Sequence, residues 1–283
     1  MASAFFAGSM SFLAKVGIKN TNSHLATALR TLVVVIFAWI MVFVAGSQNT
    51  IADISAKSLV FLVLSGFTTG GSWLCYFRAL QIGDVNKVVP VDKSSTVLTM
   101  LLSFGFFNEG LTVVKIAAML LIGLGTTLMI VPKESSAAAQ GRGCKWLIYA
   151  ILSAVFASLT AILGKAGISG VEATLGTAIR TGVVLVMAWL IVFSQGKQNE
   201  VKFIDKRSWF FIGLSGLATG LSWLYFYHAL QKGPASVVVP IDKLSILVTV
   251  AFSGLVLREK VSKKSAAGLV LLTAGTLSLL IKI

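Results

Sequence analysis

The sequence predicts an all-α integral membrane protein with ten transmembrane helices, arranged as two inverted-topology five-helix repeats. Three observations support this fold class: an apolar composition, apolar segments that recur along the whole chain, and an internal duplication. Of the 283 residues, 56% are hydrophobic and 12% are charged, about half the charged fraction of a soluble domain. This composition excludes a soluble globular protein.

The internal duplication covers nearly the whole chain. A shift of 150 residues aligns residues 1–133 with 151–283 without a gap, at about fifty identities. The motif Val88-Val-Pro-Val-Asp-Lys93, for example, corresponds to Val238-Val-Pro-Ile-Asp-Lys243. We therefore expect two homologous units that fold alike.

Each copy contains five apolar segments that are long enough to cross a bilayer, separated by Gly, Asn and charged residues. The domain boundaries follow from them: a first repeat at 1–133, a polar linker at 134–145 and a second repeat at 146–283. The predicted spans are 2–18, 26–46, 58–81, 85–107 and 112–131 in the first copy, and 146–168, 175–195, 208–231, 235–257 and 263–281 in the second.

An odd number of crossings per copy has a topological consequence. The second copy must enter the membrane from the face opposite to the first, so the two repeats are inverted. Such pairs are common in secondary transporters, because two similar halves can expose a site near the bilayer midplane to each side in turn.

Basic residues outside the spans predict the orientation. Thirteen lie on the face reached after odd-numbered spans, and four, Lys57, Lys115, Lys232 and Lys282, share the face of the termini. The positive-inside rule then places both termini outside the cytoplasm, in a multi-pass protein of the cell (plasma or inner) membrane. Because the basic residues are scattered between apolar segments, the net charge of +14 does not indicate nucleic-acid binding.

Ionisable residues at membrane depth are the candidate functional residues, because burying them is costly. Four pairs occur in both copies: Asp92 and Asp242, Lys93 and Lys243, Lys15 and Lys165, and Arg30 and Arg180. All eight are candidates for substrate or coupling-ion binding. Pro90 and Pro240, two residues before each aspartate, are predicted to kink their helices.

The two aspartates have two possible roles. Each carboxylate could form a fixed ion pair with a nearby lysine and hold helices together. Alternatively, Asp92 and Asp242 could exchange protons or ions as the cavity changes sides, with desolvation and the lysines setting their protonation. The lysines could equally extend towards the headgroups, and the arginines could either begin a helix near the surface or contact an anionic substrate group.

The third span of each copy carries aromatic residues. Trp73 and Tyr76 in the first copy, with Trp223, Tyr227 and His228 in the second, either pack between helices or line a central cavity. Gly70, Gly71 and Gly220 nearby are typical of close helix approach.

Enzymatic chemistry is not indicated by any motif. The sequence contains no phosphate-binding loop, no His-Glu metal motif and no nucleophile–base set. Cys75 and Cys144 are not at metal-ligand or redox spacing. We therefore predict no enzyme activity, no cofactor and no metal site.

Both copies resemble the EamA-type units of the drug/metabolite transporter superfamily. The resemblance rests on Lys15 and Lys165, on Arg30 and Arg180, on the stretches ending in Pro90 and Pro240, on Asn108-Glu109 and Arg258-Glu259, and on Gly125-Thr126 and Gly275-Thr276. It implies ten helices around a central cavity and ion- or proton-coupled movement of metabolites, often outward. The Val-Pro-Val/Ile-Asp-Lys version is similar to a bacterial and archaeal branch with a single five-helix unit, here fused as a pair.

We therefore expect a secondary active transporter that works by alternating access, a proton-coupled exporter of a small polar, anionic or zwitterionic metabolite such as an amino acid. The alternatives are an exporter of cationic drugs, a lipid flippase and a non-transporting membrane helper subunit. The expected partners are a small-molecule substrate, membrane lipid and protons or another coupling ion, in a monomer or homodimer.

Overall fold

The computed structural model describes residues 1–17, 21–82, 91–92, 94–128, 145–256 and 263–280. These residues form α-helices and two short 3-10 helices, Ser47–Asp53 and Gln198–Phe203. The α-helices are α1 (Ala2–Gly17), α2 (Ser23–Val44), α3 (Ala56–Ile82), α4 (Ser95–Phe107), α5 (Val113–Leu128), α6 (Lys145–Gly167), α7 (Ala173–Ser194), α8 (Lys206–Lys232), α9 (Ala235–Lys243), α10 (Ser245–Val256) and α11 (Lys263–Ser278).

The helices repeat at the spacing of the sequence duplication. α7, α8 and α11 begin and end 150 residues after α2, α3 and α5. Within the described part of the chain, five helices are long and apolar enough to cross a membrane, namely α2, α3, α6, α7 and α8, while α4 and α5 are shorter apolar helices.

The apolar surface of these helices supports a membrane environment. Matched positions are more than half exposed in the two copies: Ile36, Ile40 and Phe43 on α2, and Val186, Leu190 and Phe193 on α7. These positions are three or four residues apart, so each set forms one stripe along its helix. Apolar stripes of this length on a protein surface are typical of contact with lipid or a partner.

The buried positions are unusually rich in hydroxyl groups. Serines and threonines at matched positions of the two copies are buried: Ser3 and Ser153, Thr31 and Thr181, Ser65 and Ser215, Thr69 and Thr219, and Ser72 and Ser222. Small hydroxyl side chains let helices approach closely and can hydrogen-bond between them. Apolar residues outside and hydroxyls inside reverse the pattern of a soluble protein.

Two compact units are formed, and each contains segments of both repeats. Unit 1 consists of 1–70, 163–232 and 242–259, and unit 2 consists of 71–162, 233–241 and 260–283. The sequence repeats are therefore units of homology that contribute helices to both compact units.

In unit 1, glycines on α3 allow close contact with α7. A Cβ atom built on Gly66 would lie 2.6 Å from the Cβ of Val183, and one built on Gly70 would lie 2.7 Å from the Cβ of Met187. The residue numbers of the contacting pairs increase together along α3 and α7, so the two helices run parallel.

The reciprocal contact joins α8 to α2 in the same unit. Gly216 lies against Val33 and Gly220 against Phe37, at positions that correspond to the α3–α7 pairs in the other copy. This reciprocity indicates a twofold relation between the copies within unit 1. Gly70 and Gly220 thus serve close helix approach, as the sequence indicated.

In unit 2, the corresponding helices α5 and α11 contact each other directly. Gly125 lies against Leu272, and Gly275 lies against Leu121. Residue numbers that increase along α5 therefore pair with residue numbers that decrease along α11, and the two helices run antiparallel.

The second-copy span predicted at 235–257 is two helices rather than one. α9 passes through the buried Pro240 and ends at Lys243, and α10 begins at Ser245 after a turn at Leu244. The interruption falls next to Asp242. In the first copy, Ser94 is likewise a turn residue before α4, while Pro90 and Lys93 lie outside the described residues.

Candidate functional site

Unit 1 contains a carboxylate that accepts a hydrogen bond from one serine, which in turn contacts a serine on a third helix. Ser3 on α1 donates a short hydrogen bond to Oδ1 of Asp242 at the end of α9. The hydroxyl oxygens of Ser3 and Ser222 on α8 are 3.4 Å apart, and Ser222 also donates to the carbonyl oxygen of Ser3 at 3.1 Å. Both serines are buried, and Asp242 is half-buried.

Unit 2 contains the matching cluster. Ser153 on α6 donates to Oδ1 of Asp92 at 2.7 Å. The hydroxyl oxygens of Ser153 and Ser72 on α3 are 3.3 Å apart, and each serine also lies 3.2 Å from the backbone carbonyl oxygen of the other. We call each of these clusters a Ser–Ser–Asp triad: Ser3, Ser222 and Asp242 in unit 1, and Ser153, Ser72 and Asp92 in unit 2.

Arg180 lies in a second kind of cluster, in unit 1. Its side chain is buried, with 3% exposed, although it begins two turns inside the apolar helix α7. Nε donates to the hydroxyl of Ser65 at 3.0 Å, and Nη2 donates to the hydroxyl of Thr69 at 2.7 Å. The guanidinium is thus held by two neutral acceptors on α3.

Aromatic rings of α8 cover the same guanidinium. Its central carbon lies 4.9 Å from the ring centroids of both Trp223 and Tyr227, within the range of a cation–π interaction. Tyr227 is itself buried and hydrogen-bonds to Ser65. Among the described residues, Nη1 of Arg180 has no hydrogen-bond partner.

Arg30, at the matched position on α2, has different surroundings. It is half-buried, and its Nη1 donates to the sulfur of Met10 at 3.2 Å. A thioether is a weak acceptor. The two arginines that the sequence singled out are therefore not equivalent in the structure.

Glu109, at the turn between α4 and α5, caps another helix. Its two carboxylate oxygens accept the backbone N–H groups of Ala235 and Ser236 at 2.7 and 3.0 Å. These groups begin α9, the helix that carries Asp242, and a carboxylate there stabilises the helix dipole. The sequence gives no local signal for this cap, because the two partners are 126 residues apart.

The other predicted site residues are more dispersed. Trp73 and Tyr76 are half-buried on α3, whereas His228 is exposed on α8. Tyr76 packs with Val91 against Ala79 and Ala150 in unit 2. Lys165 and Lys243 are half-buried, and the side chain of Lys15 lies outside the described part of the structure.

Among the described residues, hydroxyls, carboxylates and the guanidinium of Arg180 lie between helices with apolar outer faces, which is the pattern of a multi-pass membrane protein. Comparison with known families agrees. The chain belongs to the EamA-like transporter family, whose model matches it twice, at residues 1–131 and 144–281. The family is one of transporters and not of enzymes.

Individual relatives are similar over one copy or over both. A Sinorhizobium protein described as an uncharacterized transporter in the cobO 3' region is 42% identical over 134 residues, which is 47% of this chain and 95% of that protein. The aligned length is close to that of a single repeat. The Bacillus subtilis uncharacterized transporter YxxF is 25% identical over 77% of this chain and 68% of its own length.

A solved structure has the same fold. One crystal structure superposes with a TM-score of 0.75 over 99% of this chain and 96% of its own, at 16% identity.

Proposed function

We propose that this protein is a secondary active transporter that exports a small anionic or zwitterionic metabolite, such as an amino acid, by proton-coupled alternating access. The observation that carries the proposal is the buried guanidinium of Arg180, whose described contacts are all to neutral groups. The outward direction rests on the family resemblance alone.

A buried charge is costly unless an opposite charge accompanies it. Ser65, Thr69 and two aromatic rings hold the guanidinium in place but leave its charge without a described counter-ion, and Nη1 is available to a further acceptor. A carboxylate is the group that best matches the planar fork of arginine. The arrangement therefore favours an anionic group on the substrate and disfavours a cationic drug, which the guanidinium would repel.

The helix directions support alternating access. The corresponding helices α5 and α11 run antiparallel, as expected if the two copies have opposite orientations in the bilayer. α3 and α7 run parallel, as they would if they were the third and seventh of ten alternating crossings. A rotation about the membrane normal would instead make corresponding helices parallel. Both observations favour ten crossings in two inverted repeats.

The first test is a ligand screen on the purified protein. Ligands that prefer the folded state raise its melting temperature. We expect stabilisation by at least one member of a panel of amino acids, small organic anions and nucleobases, with the responding compound carrying a carboxylate. The matched variants are Arg180→Gln, which should abolish the shift, and Arg30→Gln, which should retain most of it.

Two results would overturn the proposed substrate class: a response confined to organic cations, or a carboxylate response that Arg180→Gln leaves intact. A response confined to phospholipids would instead indicate a flippase.

Coupling is tested by flux in proteoliposomes. Uptake of the responding solute should be driven by an imposed pH gradient and should lose that dependence in the double variant Asp92→Asn with Asp242→Asn. Flux that is independent of the gradient, and unchanged in this variant, would remove proton coupling from the proposal. A folded protein that moves no member of the panel would favour a non-transporting subunit.

A further inference from the structure

The Ser–Ser–Asp triads are the polar clusters that the duplication preserves without change. Ser3, Ser222 and Asp242 of unit 1 correspond, residue for residue at the 150-residue spacing, to Ser153, Ser72 and Asp92 of unit 2. We propose that each triad is a proton-binding site, so that the protein binds two protons, one in each compact unit, per transport cycle. This inference rests on the proton coupling proposed above and adds the serine partners of the two aspartates and the number of protons bound.

The hydrogen bonds of unit 2 allow Asp92 to gain a proton without leaving a buried group unsatisfied. The hydroxyl of Ser153 has two possible acceptors: Oδ1 of Asp92 at 2.7 Å and the carbonyl oxygen of Ser72 at 3.2 Å. When the carboxylate is ionised, Ser153 donates to it. When water delivers a proton to Asp92, the new O–H can donate to Ser153, whose own hydrogen can turn to the Ser72 carbonyl.

Unit 1 offers the same exchange. The hydroxyl of Ser3 donates to Asp242 and lies 3.4 Å from the hydroxyl of Ser222, which can act as donor or acceptor in this contact. Since a serine hydroxyl rotates freely between acceptors, both protonation states of Asp242 can be hydrogen-bonded. A carboxylate with a purely structural role would need partners for its ionised form only.

The donors favour a proton over a metal cation. A hard cation takes six or more oxygen ligands, whereas the described polar contacts of each triad come from one carboxylate, two hydroxyls and serine carbonyl oxygens. Asp92 and Asp242 are also only half-buried, so the surrounding helices do not seal either carboxylate off completely.

Other titratable groups lie on the helices that meet at each triad. Around Asp242 they are Lys243 on α9, and Tyr225, Tyr227 and His228 on α8. Around Asp92 they are Tyr76 and Arg78 on α3, and Tyr149 on α6. None of these groups has a carboxylic acid C=O, so infrared spectroscopy separates the aspartates from them.

The test is an acid titration of the full-length protein in lipid nanodiscs, followed by the infrared band of protonated carboxyl groups. Asp92→Asn and Asp242→Asn should each remove the intensity of one carboxyl group, and the double variant should remove two. Ser3→Ala and Ser153→Ala should shift the corresponding band while preserving its intensity, because they remove a hydrogen bond but not the acid.

Matched controls come from the same helices. Ser9 on α1 and Ser158 on α6 bond to backbone carbonyls of their own helices, so Ser9→Ala and Ser158→Ala should leave both bands in place. If an asparagine variant does not fold, a band shift in the serine variant of the same triad shows whether the aspartate of that triad takes up a proton.

Two results would overturn the inference. In one, neither aspartate substitution, nor the matching serine substitution, alters a carboxyl band over the pH range in which the protein stays folded. In the other, sodium raises the melting temperature in a manner that depends on Asp92 or Asp242. Because the titration requires no transport, loss of flux with two titrating aspartates would count against the proposed function alone.

Where flux is measurable, the number of protons per solute should fall by half in each single asparagine variant. An unchanged ratio in both would contradict two equivalent sites.

Discussion

Arg180 and Arg30 occupy the same position in the two copies, but by surface exposure Arg180 is the more deeply buried of the two. Arg180 is held by Ser65 and Thr69 and covered by two rings, whereas the described partner of Arg30 is the sulfur of Met10. The copies also differ at Tyr227, which corresponds to Phe77. Duplication thus left the same residue type in two environments, and the proposed function assigns the anionic substrate to the environment of Arg180.

The Ser–Ser–Asp triads show the opposite outcome, since both copies keep the same residues and the same hydrogen bonds. A single substrate site needs no symmetry. A coupling site that must be reached from each side in turn benefits from being present twice. Under the proposed function, the arginine of one copy would therefore have a substrate role and the repeated triads a coupling role.

The largest expected effect comes from removing the hydroxyls that hold Arg180. The double variant Ser65→Ala with Thr69→Val should lower the free energy of unfolding by about 2–5 kcal/mol, because two hydrogen bonds to a buried charge are lost together. The matched variant Ser215→Ala with Thr219→Val should cost less than about 2 kcal/mol, since those hydroxyls bond to backbone carbonyls. Equal losses in denaturant unfolding would mean that the arginine environments do not differ.

The next effect tests the helix contacts that position both arginines. Gly216→Ala should destabilise the protein by about 1–3 kcal/mol, because the added Cβ would lie 2.7 Å from Val33 Cβ. The control is Gly213→Ala on the same helix, where no heavy atom lies within 4 Å of the added Cβ and a small gain is expected. Thermal unfolding of the two variants side by side measures the difference, and similar melting temperatures would refute the close α2–α8 contact.

A smaller effect is expected when Tyr227 is given the residue of the first copy. Tyr227→Phe keeps the ring over Arg180 but loses the hydrogen bond to Ser65, at a cost of about 1 kcal/mol. Tyr227→Leu should cost more, since it also removes the ring. If both variants unfold alike, the cation–π contact contributes little to holding the guanidinium.

The smallest effect concerns the residues that cap α2 and α7. Burial tends to raise the pKa of Glu172, but hydrogen bonds from Thr174, the Leu175 N–H and Ser47 outweigh it and hold this pKa below its ordinary value. The ionised Glu172 therefore stabilises the folded protein fully at pH values above its pKa in the unfolded state. This stabilisation is lost as the pH falls through its pKa in the folded state. Asn22, the matched cap of α2, does not titrate.

Glu172→Asn should accordingly remove a pH dependence of less than about 1 kcal/mol, as expected for a half-buried group whose charge is partly screened by solvent. Melting temperatures at neutral and acidic pH, compared between the variant and the parent protein, provide the measurement. If the melting temperature of the variant depends on pH as strongly as that of the parent protein, other carboxylates cause the dependence.

Much of the fold could be predicted because it depends on patterns that repeat. Apolar segment length predicted the helices, and the 150-residue duplication predicted that α2 and α7 would match. The free-energy cost of burying a charged side chain likewise identified Asp92, Asp242 and Arg180 as candidate functional residues. The interruption at Leu244 was not foreseen, since an apolar residue after a proline-containing helix gives no local signal for a turn.

The serines of the triads were missed for a different physical reason. A serine in an apolar segment costs little and usually bonds to its own helix, so Ser3 and Ser72 carry no signal on their own. Ser153 and Ser222 occupy the matching positions in the other copy, and this identity was a usable signal. A serine that is present in both copies at membrane depth can be singled out in the same way as an aspartate that is present in both. The cap that Glu109 forms on α9 could be recognised only from the tertiary structure.

The most direct test of the whole account is the sidedness of two matched loop residues. Asn49 and Asn199 are exposed, occupy corresponding 3-10 helices and tolerate replacement by cysteine on this structure. In a background without Cys75 and Cys144, a membrane-impermeant maleimide applied to intact cells should label Asn49→Cys, and should label Asn199→Cys only after the membrane is opened. Labelling of both from the same side would contradict inverted repeats and the alternating access built on them.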